Sequence, residues 1–359
     1  MDKSVIVAMS GGVDSSVAAA LLVEKGYDVI GIMLRLWTSD CGESTNTCCT
    51  PESINQAREV ANILNIPFYT IDSREIFKNE IVDQFIHQSL TGLTPNPCFT
   101  CNQKIKWGVL LEKAEKIGAK YIATGHYAQI VQDEFKKFHL LNGIDEKKDQ
   151  SYMLAGLKQE QLCRTLLPLG KLYKNDVRKI ALKYGFRSAN KPDSQDLCFT
   201  GKNGYRSFIN AFQGDKNLPG DIKNFEGVII GNHTGLANYT IGQRKGLGSG
   251  SKSPLYVISK NIEKNELVVG PFEKLGTKNI TVTKINWISG IYPSKKDGLQ
   301  VKTRYKSTPV FCSIEMISEE LLNIQTVNEI RDAAPGQIAV FYHQDYVIGS
   351  GVIVSTGRG

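Results

Sequence analysis

Apolar positions in the first half of the chain alternate between short buried runs and longer helical patterns. Residues 4–9 form an apolar run typical of a buried strand, and residues 15–25 carry a helical pattern that Gly26 can end. Further strands are predicted at 28–34, 67–72 and 120–124, and further helices at 52–64, 74–90, 104–117 and 175–184. Strands separated by helices of this length pair in parallel through right-handed crossovers, so the pattern predicts an α/β fold with a doubly wound parallel sheet.

The second half of the chain has a different pattern, with dense glycines and short β-rich pieces. After residue 270, strands are predicted at 280–288, 299–305, 310–317, 337–342 and 346–354. The turn residues between them are typical of a small antiparallel barrel. We therefore expect three domains: the α/β domain over 1–203, a small central domain over 204–269 and a C-terminal antiparallel β-barrel over 270–359.

Composition restricts the class of protein. The chain has 359 residues, of which 41% are hydrophobic and 22% charged, as in a folded globular protein and unlike a disordered or fibrous one. No apolar run approaches the roughly 18 residues of a membrane span, and the N-terminus shows no secretion signal or transit peptide. Eight cysteines in so long a chain indicate metal ligands or catalytic thiols. The net charge of +7 mildly favours a polyanionic partner.

The most specific motif is SGGVDSS at residues 10–16, which follows the first predicted strand and opens the first predicted helix. Paired glycines let the backbone approach an anion, hydroxyls add donors, and the helix N-terminus contributes unpaired N–H groups. Asp14 has two interpretations, as a helix N-cap or as a carboxylate that helps to hold Mg²⁺. The simpler alternative for the whole segment is a tight strand-to-helix turn. Neither a Walker-type loop nor a dinucleotide fingerprint occurs.

Two cysteine segments are the next candidates for chemistry. Cys98 and Cys101 lie in TPNPCFTCN, where the two prolines predict an extended, rigid loop near the carboxyl ends of the strands. Cys198 lies at the end of the α/β half, in a loop that could reach the same cleft. Two thiols facing each other across the phosphate site would suit sulfur delivery, with one carrying a persulfide. The alternative is a structural zinc site on the Cys98 and Cys101 pair, completed by Cys48 and Cys49.

The string SGGVDSS resembles the PP-loop of N-type ATP pyrophosphatases, which split ATP into AMP and pyrophosphate to activate a carbonyl oxygen. With five further strings, the chain resembles the tRNA-specific 2-thiouridylase (MnmA) family nearly end to end. These strings are ATGHY at 123–127, KDQSY at 148–152, TIGQRKGLG at 240–248, VKTRY at 301–305 and PGQ at 335–337.

The resemblance implies a set of roles for individual residues. Cys101 would be the nucleophile and Cys198 the persulfide carrier, which would form a transient disulfide with Cys101. The ATP site would be lined by Ala8, Met9, Ser10, Gly11, Gly12, Val13, Asp14, Ser15, Leu34 and Gly125. The target base would be bordered by Asn96, Pro97 and Cys98. The implied tRNA contacts are His126, Lys148, Asp149, Gln150, Arg304, Tyr305 and Gln337.

The same resemblance implies the reaction and its partners. ATP, with Mg²⁺, would adenylate the C2 oxygen of the wobble uridine, and sulfur from a cysteine persulfide would replace that oxygen. The expected partners are the tRNA anticodon stem-loop and a sulfur-donor protein or cysteine desulfurase relay, without a membrane. A monomer in the cytoplasm is expected, or in the plastid stroma if the protein is organelle-encoded.

One position departs from the family pattern. Cys98 stands where well-studied members carry Asp in the PNPD string, so this chain loses a carboxylate and gains a C-x-x-C pair. Cys98, Cys101 and Cys198 could then ligate a [4Fe–4S] cluster with one open iron site. Sulfur transfer through such a cluster is therefore a second hypothesis for the mechanism.

Simpler interpretations stay open for several other residues. His126 could be a hydrogen-bonded structural histidine, and Arg304 with Tyr305 could be an exposed strand end instead of a charged stacking surface for an RNA loop. For the whole chain, the alternatives are an amidotransfer-type synthetase with a nitrogen nucleophile and a non-catalytic RNA-binding adaptor.

Overall fold

The computed structural model describes residues 3–37, 50–192, 197–201, 204–212, 218–247, 253–293 and 297–357. Cys48 and Cys49, which the zinc alternative requires, lie outside the described residues, as do positions 193–196 before Cys198. Within the described ranges, no helix has the length and apolarity needed to cross a membrane.

The first sheet has five parallel strands in the order β3-β2-β1-β4-β7. Their bounds are β1 Ser4–Ala8, β2 Asp28–Arg35, β3 Phe68–Asp72, β4 Tyr121–Ala123 and β7 Thr165–Leu166. Strand order reverses between β1 and β4, and a crevice forms outside the carboxyl ends of the strands at such a point. The SGGVDSS loop, which follows β1, therefore lies at the usual ligand-binding edge of the sheet.

Successive residues of the central strands enter two separate apolar cores. Ile6 of β1 and Ile122 of β4 belong to one core, whereas Val5, Val7 and Ala123 belong to the other, and all five are fully buried. Because side chains alternate across a strand, helices must cover both faces of the sheet. The predicted doubly wound α/β fold is confirmed.

The helices of the chain lie mostly in its first 212 residues. Their bounds are α1 Val13–Glu24, α2 Pro51–Ile63, α3 Arg74–Phe77, α4 Asp83–Leu90, α5 Pro97–Cys101, α6 Leu110–Lys116, α7 Ser151–Leu154, α8 Gln159–Leu162, α9 Lys174–Lys183 and α10 Gly204–Phe212. Wider π-helical turns at Lys78–Val82 and Asn102–Val109 join α3 to α4 and α5 to α6, and short 3₁₀ turns occur at Arg187–Asn190, Leu236–Asn238 and Phe272–Leu275.

The central part of the chain forms a four-stranded sheet in the order β10-β11-β8-β9. Its strands are β8 Gly220–Asn224, β9 Ile229–His233, β10 Tyr256–Asn261 and β11 Glu266–Gly270. A separate apolar cluster, which includes Ile222, Val257 and Leu267, fills its inner face. The predicted small central domain is thus a β structure with its own core.

The C-terminal strands form the predicted antiparallel barrel, which closes because β12 pairs with both β15 and β17. Its strands are β12 Thr277–Trp287, β13 Leu299–Lys302, β14 Val310–Met316, β15 Leu322–Ile330, β16 Ile338–His343 and β17 Tyr346–Thr356. A hairpin from the first half of the chain, β5 Ala128–Gln132 and β6 Phe138–Asn142, adds to this sheet through β6 and β17.

The structure differs from the sequence predictions at four points. Neither β15 nor the β5–β6 hairpin was predicted, and the strand predicted over 299–305 ends at Lys302. The extended loop predicted through the cysteine pair is wrong, because a helix begins at Pro97. Proline is well suited to the first helical turn, since its missing N–H has no partner there and its φ angle is already helical.

Candidate active site

The SGGVDSS loop turns sharply between β1 and α1. Gly11 has a φ of +72°, and a Cβ atom at this position would clash with the carbonyl oxygen of Ser53 in α2. Only glycine satisfies both requirements without strain. The fold itself therefore requires glycine at position 11, independently of any ligand.

Hydroxyl groups of the loop hold its backbone in place. The backbone N–H of Ser10 donates to Oγ of Ser15 at 3.1 Å. The hydroxyls of Ser15 and Ser16 donate to the carbonyl oxygen of Gly12 at 3.2 and 2.9 Å. Gly12 is the N-cap residue of α1 and has no side chain to satisfy the first N–H groups of the helix. Such a helix N-terminus is a favourable site for a phosphate.

Gly125 follows β4 and lies against the first turn of α1. A Cβ atom there would lie 2.7 Å from the carbonyl carbon of Asp14 and 2.8 Å from the backbone nitrogen of Ser15. Leu34 lies at the carboxyl end of β2. Two residues earlier in the same strand, the carbonyl oxygen of Ile32 accepts a hydrogen bond from the N–H of Met9, which joins β2 to the start of the loop. The residues predicted to line the ATP site are thus brought to one edge of the sheet.

Asp14 forms an ion pair that the sequence did not predict. Nζ of Lys174 lies 2.7 and 2.8 Å from its two carboxylate oxygens, and the hydroxyl of Tyr127 donates to it at 2.7 Å. The N-cap interpretation is wrong, because Asp14 lies inside α1 and Gly12 is the cap. Both carboxylate oxygens accept hydrogen bonds, and the Mg²⁺ interpretation of Asp14 stays a prediction. Lys174, at the start of α9, carries no signal in the sequence that would have identified it.

The nucleophile predicted at Cys101 lies in a short helix with a defined start. Oδ1 of Asn96 accepts a hydrogen bond from the backbone N–H of Phe99 at 3.1 Å, and Pro97 occupies the first helical turn. Cys98 is exposed and Cys101, one turn later, is buried. The three residues predicted to border the target base therefore form the beginning of the helix that carries Cys101.

Cys198 approaches the same region through its neighbour in sequence. The ring of Phe199 packs against Phe77 and Phe85, with centroid distances of 5.9 and 5.3 Å. Cys198 is half-buried and contacts the apolar cluster to which Cys101 belongs. The structure thus brings the two predicted reactive cysteines to one cluster, although about 100 residues separate them in sequence.

The positions of the cysteines also bear on the predicted metal centres. Over the part of the chain that the structure describes, no group of three or more His, Cys, Asp or Glu side chains is arranged to hold a metal ion. Cys98, Cys101 and Cys198 are all described and do not form such a group. Their arrangement therefore does not fit the predicted [4Fe–4S] cluster.

His126 is buried beside the sheet. Its Nδ1 lies 2.7 Å from the hydroxyl of Thr124, and its ring packs against Trp107 with a centroid distance of 5.6 Å. Burial, together with the nearby charge of Lys106, lowers the pKa of His126 well below its ordinary value. The ring is therefore neutral, and these contacts favour the structural interpretation over direct binding of an RNA phosphate.

Of the predicted tRNA contacts at 148–150, two side chains form hydrogen bonds within the protein and one lines a surface cavity. Asp149 is mostly buried and accepts hydrogen bonds from the backbone N–H groups of Gly143 and Ser151, while burial raises the pKa of its carboxyl. Oε1 of Gln150 accepts from the backbone N–H of Tyr127 at 3.1 Å. Lys148, in contrast, lines a cavity of about 560 Å³ next to α9.

The predicted contacts from the barrel face other parts of the chain. Nη2 of Arg304 donates to the carbonyl oxygen of Ile241 at 3.0 Å, and its buried Nε has no hydrogen-bond partner among the residues that the structure describes. Burial and the nearby carboxylates of Asp149 and Asp145 raise the pKa of Tyr305 to about 12. Nε2 of Gln337 donates to the carbonyl oxygen of Thr94 at 3.0 Å, which ties the barrel to the segment that leads into α5.

Comparison with known families covers almost the whole chain. Residues 3–202 match the tRNA methyl transferase HUP domain, residues 206–271 the tRNA methyl transferase PRC-barrel domain, and residues 277–353 the aminomethyltransferase beta-barrel domain. The tRNA-specific 2-thiouridylase MnmA of Geotalea uraniireducens is 44% identical over 358 residues, which are 98% of this chain and 95% of that protein. The chain belongs to the MnmA family.

Other MnmA proteins match equally broadly. Those of Geobacter metallireducens and Clostridioides difficile are 41% and 42% identical, and each alignment covers 98% of this chain and 96% and 98% of the relative. A solved 4-thiouridine synthetase with RNA and bound ATP is 15% identical, with a TM-score of 0.35 and coverage of 58% of this chain and 49% of that one. The predicted MnmA resemblance and three-part fold are confirmed, whereas the individual site residues stay predictions.

Proposed function

We propose that this chain is a tRNA 2-thiouridylase that replaces the C2 oxygen of the wobble uridine by sulfur. Membership of the MnmA family supports the reaction class, and the sheet edge around Gly11 and Gly125 supports ATP as the activating substrate. The observation that carries the proposal is that Cys101 and Cys198 contact one apolar cluster, which also contains Leu34 of the proposed ATP site.

The first chemical step activates a poor leaving group. The C2 oxygen attacks the α-phosphorus of ATP, pyrophosphate leaves, and the oxygen becomes part of a good leaving group, AMP. The N-terminus of α1 and its glycine loop would stabilise the negative charge on the phosphates. Mg²⁺ bound to those phosphates would neutralise part of their charge.

The second step delivers sulfur. The terminal sulfur of a Cys198 persulfide attacks C2, and AMP leaves with its bond electrons. The thiolate of Cys101 then attacks Sγ of Cys198, which releases the thiocarbonyl product and forms a Cys101–Cys198 disulfide. An external dithiol reductant resets the pair. The target base must leave its stack to reach this site, as in other enzymes that modify bases.

Partners follow from this chemistry. The substrate is the anticodon stem-loop of tRNA, and a sulfur-donor protein or cysteine desulfurase relay supplies the persulfide. We propose that the chain acts as a monomer in the cytoplasm.

The test uses wild-type protein, unmodified tRNA transcript, ATP with Mg²⁺ and inorganic polysulfide. Mass spectrometry of digested nucleosides should show 2-thiouridine at the first anticodon position. Cys101→Ser and Cys198→Ser should each reduce product by at least about 10³-fold, since each removes a reacting group. Cys163→Ser is the matched control and should retain activity, because this thiol lies near the surface beside Glu160. Transfer of label from ATP to a small carbonyl acceptor, without thiolated tRNA, would contradict the proposal and favour an amidotransfer-type synthetase.

A further inference from the structure

Cys98 is a nucleophilic side chain that the proposed reaction does not use. It is exposed, whereas Cys101 is buried with 8% of its surface accessible and Cys198 is half-buried. A disulfide between Cys101 and Cys198 would therefore lie mostly below the surface. Thiol–disulfide exchange requires the attacking sulfur to reach a sulfur of the disulfide, so access limits the reduction of such a bond by another protein.

The two cysteines of the C-x-x-C pair lie on one helical turn. Cys98 and Cys101 both belong to α5, and the backbone N–H of Asn102 donates to the carbonyl oxygen of Cys98, which closes this turn. Residues three positions apart in a helix are neighbours on one face, with Cα atoms about 5 Å apart. Disulfides join residues whose Cα atoms are about 4.4–6.8 Å apart. The helix therefore places these two cysteines at a separation that a disulfide can span.

Packing against the α7 segment fixes the position of this turn. The amide of Asn102 donates to the carbonyl oxygen of Met153 in α7 at 2.9 Å. Gly156, just after α7, approaches the ring of Phe99 so closely that a Cβ atom would lie 2.8 Å from Cζ. The turn that carries both thiols is therefore held by the body of the α/β domain.

The placement of the three cysteines suits exchange between pairs of thiols. Cys98 and Cys101 share a helical turn, and Cys101 and Cys198 contact one apolar cluster. Exchange needs Cys101 as the shared sulfur, whereas a metal cluster needs all three sulfurs to surround one point. Among the described residues, these three side chains form no group that could hold a metal ion. Their arrangement therefore favours pairwise exchange over joint ligation.

We infer that Cys98 is the resolving thiol of this enzyme, which moves the disulfide from the Cys101–Cys198 pair to the C-x-x-C pair. This inference rests on the proposed function, because that reaction leaves a Cys101–Cys198 disulfide. Cys98 loses its thiol proton to solvent and attacks Sγ of Cys101. The bond between Cys101 and Cys198 breaks, and Cys198 leaves as a thiolate with the electron pair of that bond. This exchange involves no net oxidation.

The exchange changes where the enzyme is reduced. Cys198 is regenerated within the chain, so it can accept the next persulfide before a reductant arrives. The external dithiol then attacks the exposed Sγ of Cys98 and reduces the bond to Cys101. Both thiols are restored, and the dithiol is oxidised to a disulfide. Reduction therefore takes place at the surface instead of at the half-buried Cys198.

The first experiment asks whether the C-x-x-C pair can form a disulfide, and it needs no turnover. Cys198→Ser is oxidised with diamide and digested without reduction, and its peptides are identified by mass spectrometry. The peptide that contains Cys98 and Cys101 should be lighter by two hydrogen atoms. The double variant Cys98→Ser/Cys198→Ser is the control and should lack this bridge. A Cys198→Ser protein in which the bridge never forms would overturn the inference and leave the proposed function standing.

The second experiment follows the disulfide through one turnover. Protein loaded with inorganic polysulfide, and then separated from the excess, reacts with tRNA and ATP with Mg²⁺ in the absence of reductant and is quenched with iodoacetamide. Wild type should contain a Cys98–Cys101 bridge and an alkylated Cys198. Cys98→Ser should stop at the Cys101–Cys198 disulfide. Cys163→Ser is the matched control and should give the wild-type pattern, because this thiol lies beside Glu160, outside both pairs.

The third experiment measures steady-state formation of 2-thiouridine with two reductants. With thioredoxin, a protein dithiol, Cys98→Ser should be at least about tenfold slower than wild type, because only buried or half-buried sulfurs remain to be attacked. With an excess of a small phosphine the loss should become smaller, since a small molecule reaches the half-buried Cys198. Equal losses with both reductants would assign Cys98 to sulfur transfer itself and overturn the inference.

The remaining outcomes separate the inference from the proposed function. Wild-type protein that forms no 2-thiouridine overturns both. Active wild type that ends its single turnover with a Cys101–Cys198 disulfide overturns the inference alone. Cys98→Ala repeats each measurement with a second side chain that cannot form a disulfide, so a folding defect of Cys98→Ser does not hide the result.

Discussion

The phosphate loop and the cysteine helix are supported in different ways. The loop keeps its conformation through hydrogen bonds between residues three to five positions apart, such as those of Ser15 and Ser16. The cysteine helix and the segment before it depend on distant residues: the amide of Asn102 donates to the carbonyl oxygen of Met153, and the bond from Gln337 to Thr94 spans 243 positions. A contiguous motif thus contains most of its own structure, whereas the thiol site exists only when distant parts of the chain are assembled.

The largest effect is expected at the loop itself. Gly11→Ala should lower the free energy of unfolding by about 3 kcal/mol and abolish ATP binding, because the new Cβ meets both a positive φ and the Ser53 carbonyl. Gly26→Ala is the control, with a φ of +70° and open space around it, and should cost only about 1 kcal/mol. Urea unfolding and ATP titration measure both effects. Equal losses in the two variants would mean that packing against Ser53 is unimportant.

A smaller effect is expected at the ion pair behind the loop. Lys174→Met should destabilise the protein by about 2 kcal/mol, since it leaves the partly buried Asp14 carboxylate without its cation. Lys116→Met breaks an exposed pair with Glu112 and should change the free energy of unfolding only slightly, because solvent screens this pair. The comparison is made by urea unfolding at pH 7. A Lys174→Met variant as stable as Lys116→Met would show that the loop does not need this pair.

The smallest effect is expected beside the segment that leads to the cysteine helix. Burial lowers the pKa of Lys260, which lies near Gly92, from 10.5 to about 8. Between these values the unfolded chain binds more protons than the folded one, so folding stability from this group rises with pH from about 8 to 10.5. Lys260→Met should therefore be more stable than wild type at pH 7, by about 1 kcal/mol, and should lack that rise.

Urea midpoints at pH 7 and pH 10 measure this difference. Lys264→Met, an exposed lysine in the turn after β10, is the control and should keep the pH dependence of the wild type. If Lys260→Met also keeps the pH dependence of the wild type, burial of Lys260 does not destabilise the folded protein.

The sequence was most informative where structure is local. The strand, glycine loop and helix around residues 4–24 occur as predicted. The apolar run, the glycine pair and the signal for the helix start all lie in this one stretch of sequence. The helix at Pro97 was missed although its signals were present. Asn is a favoured N-cap and Pro a favoured first residue, so the string Asn96–Pro97 could have indicated a helix start instead of a loop.

Other features had no local signal. The partner of Asp14 is 160 positions away in Lys174, and no pattern near either residue indicates the pair. In β15 the alternation of apolar and polar residues breaks down, because the buried position 326 is a threonine and the exposed position 327 is a valine. His126 was assigned to RNA by resemblance, while its burial beside Trp107 is a consequence of tertiary packing that no spacing predicts.

The β5–β6 hairpin has a consequence for how this chain can be divided. It precedes α9 in sequence, yet it extends the sheet of the barrel, because Leu141 of β6 pairs with Tyr346 of β17. A fragment that stops before the barrel would leave an unpaired strand edge, which is prone to aggregate. Exchanging C-terminal barrels between relatives should therefore succeed only when the hairpin is exchanged along with them.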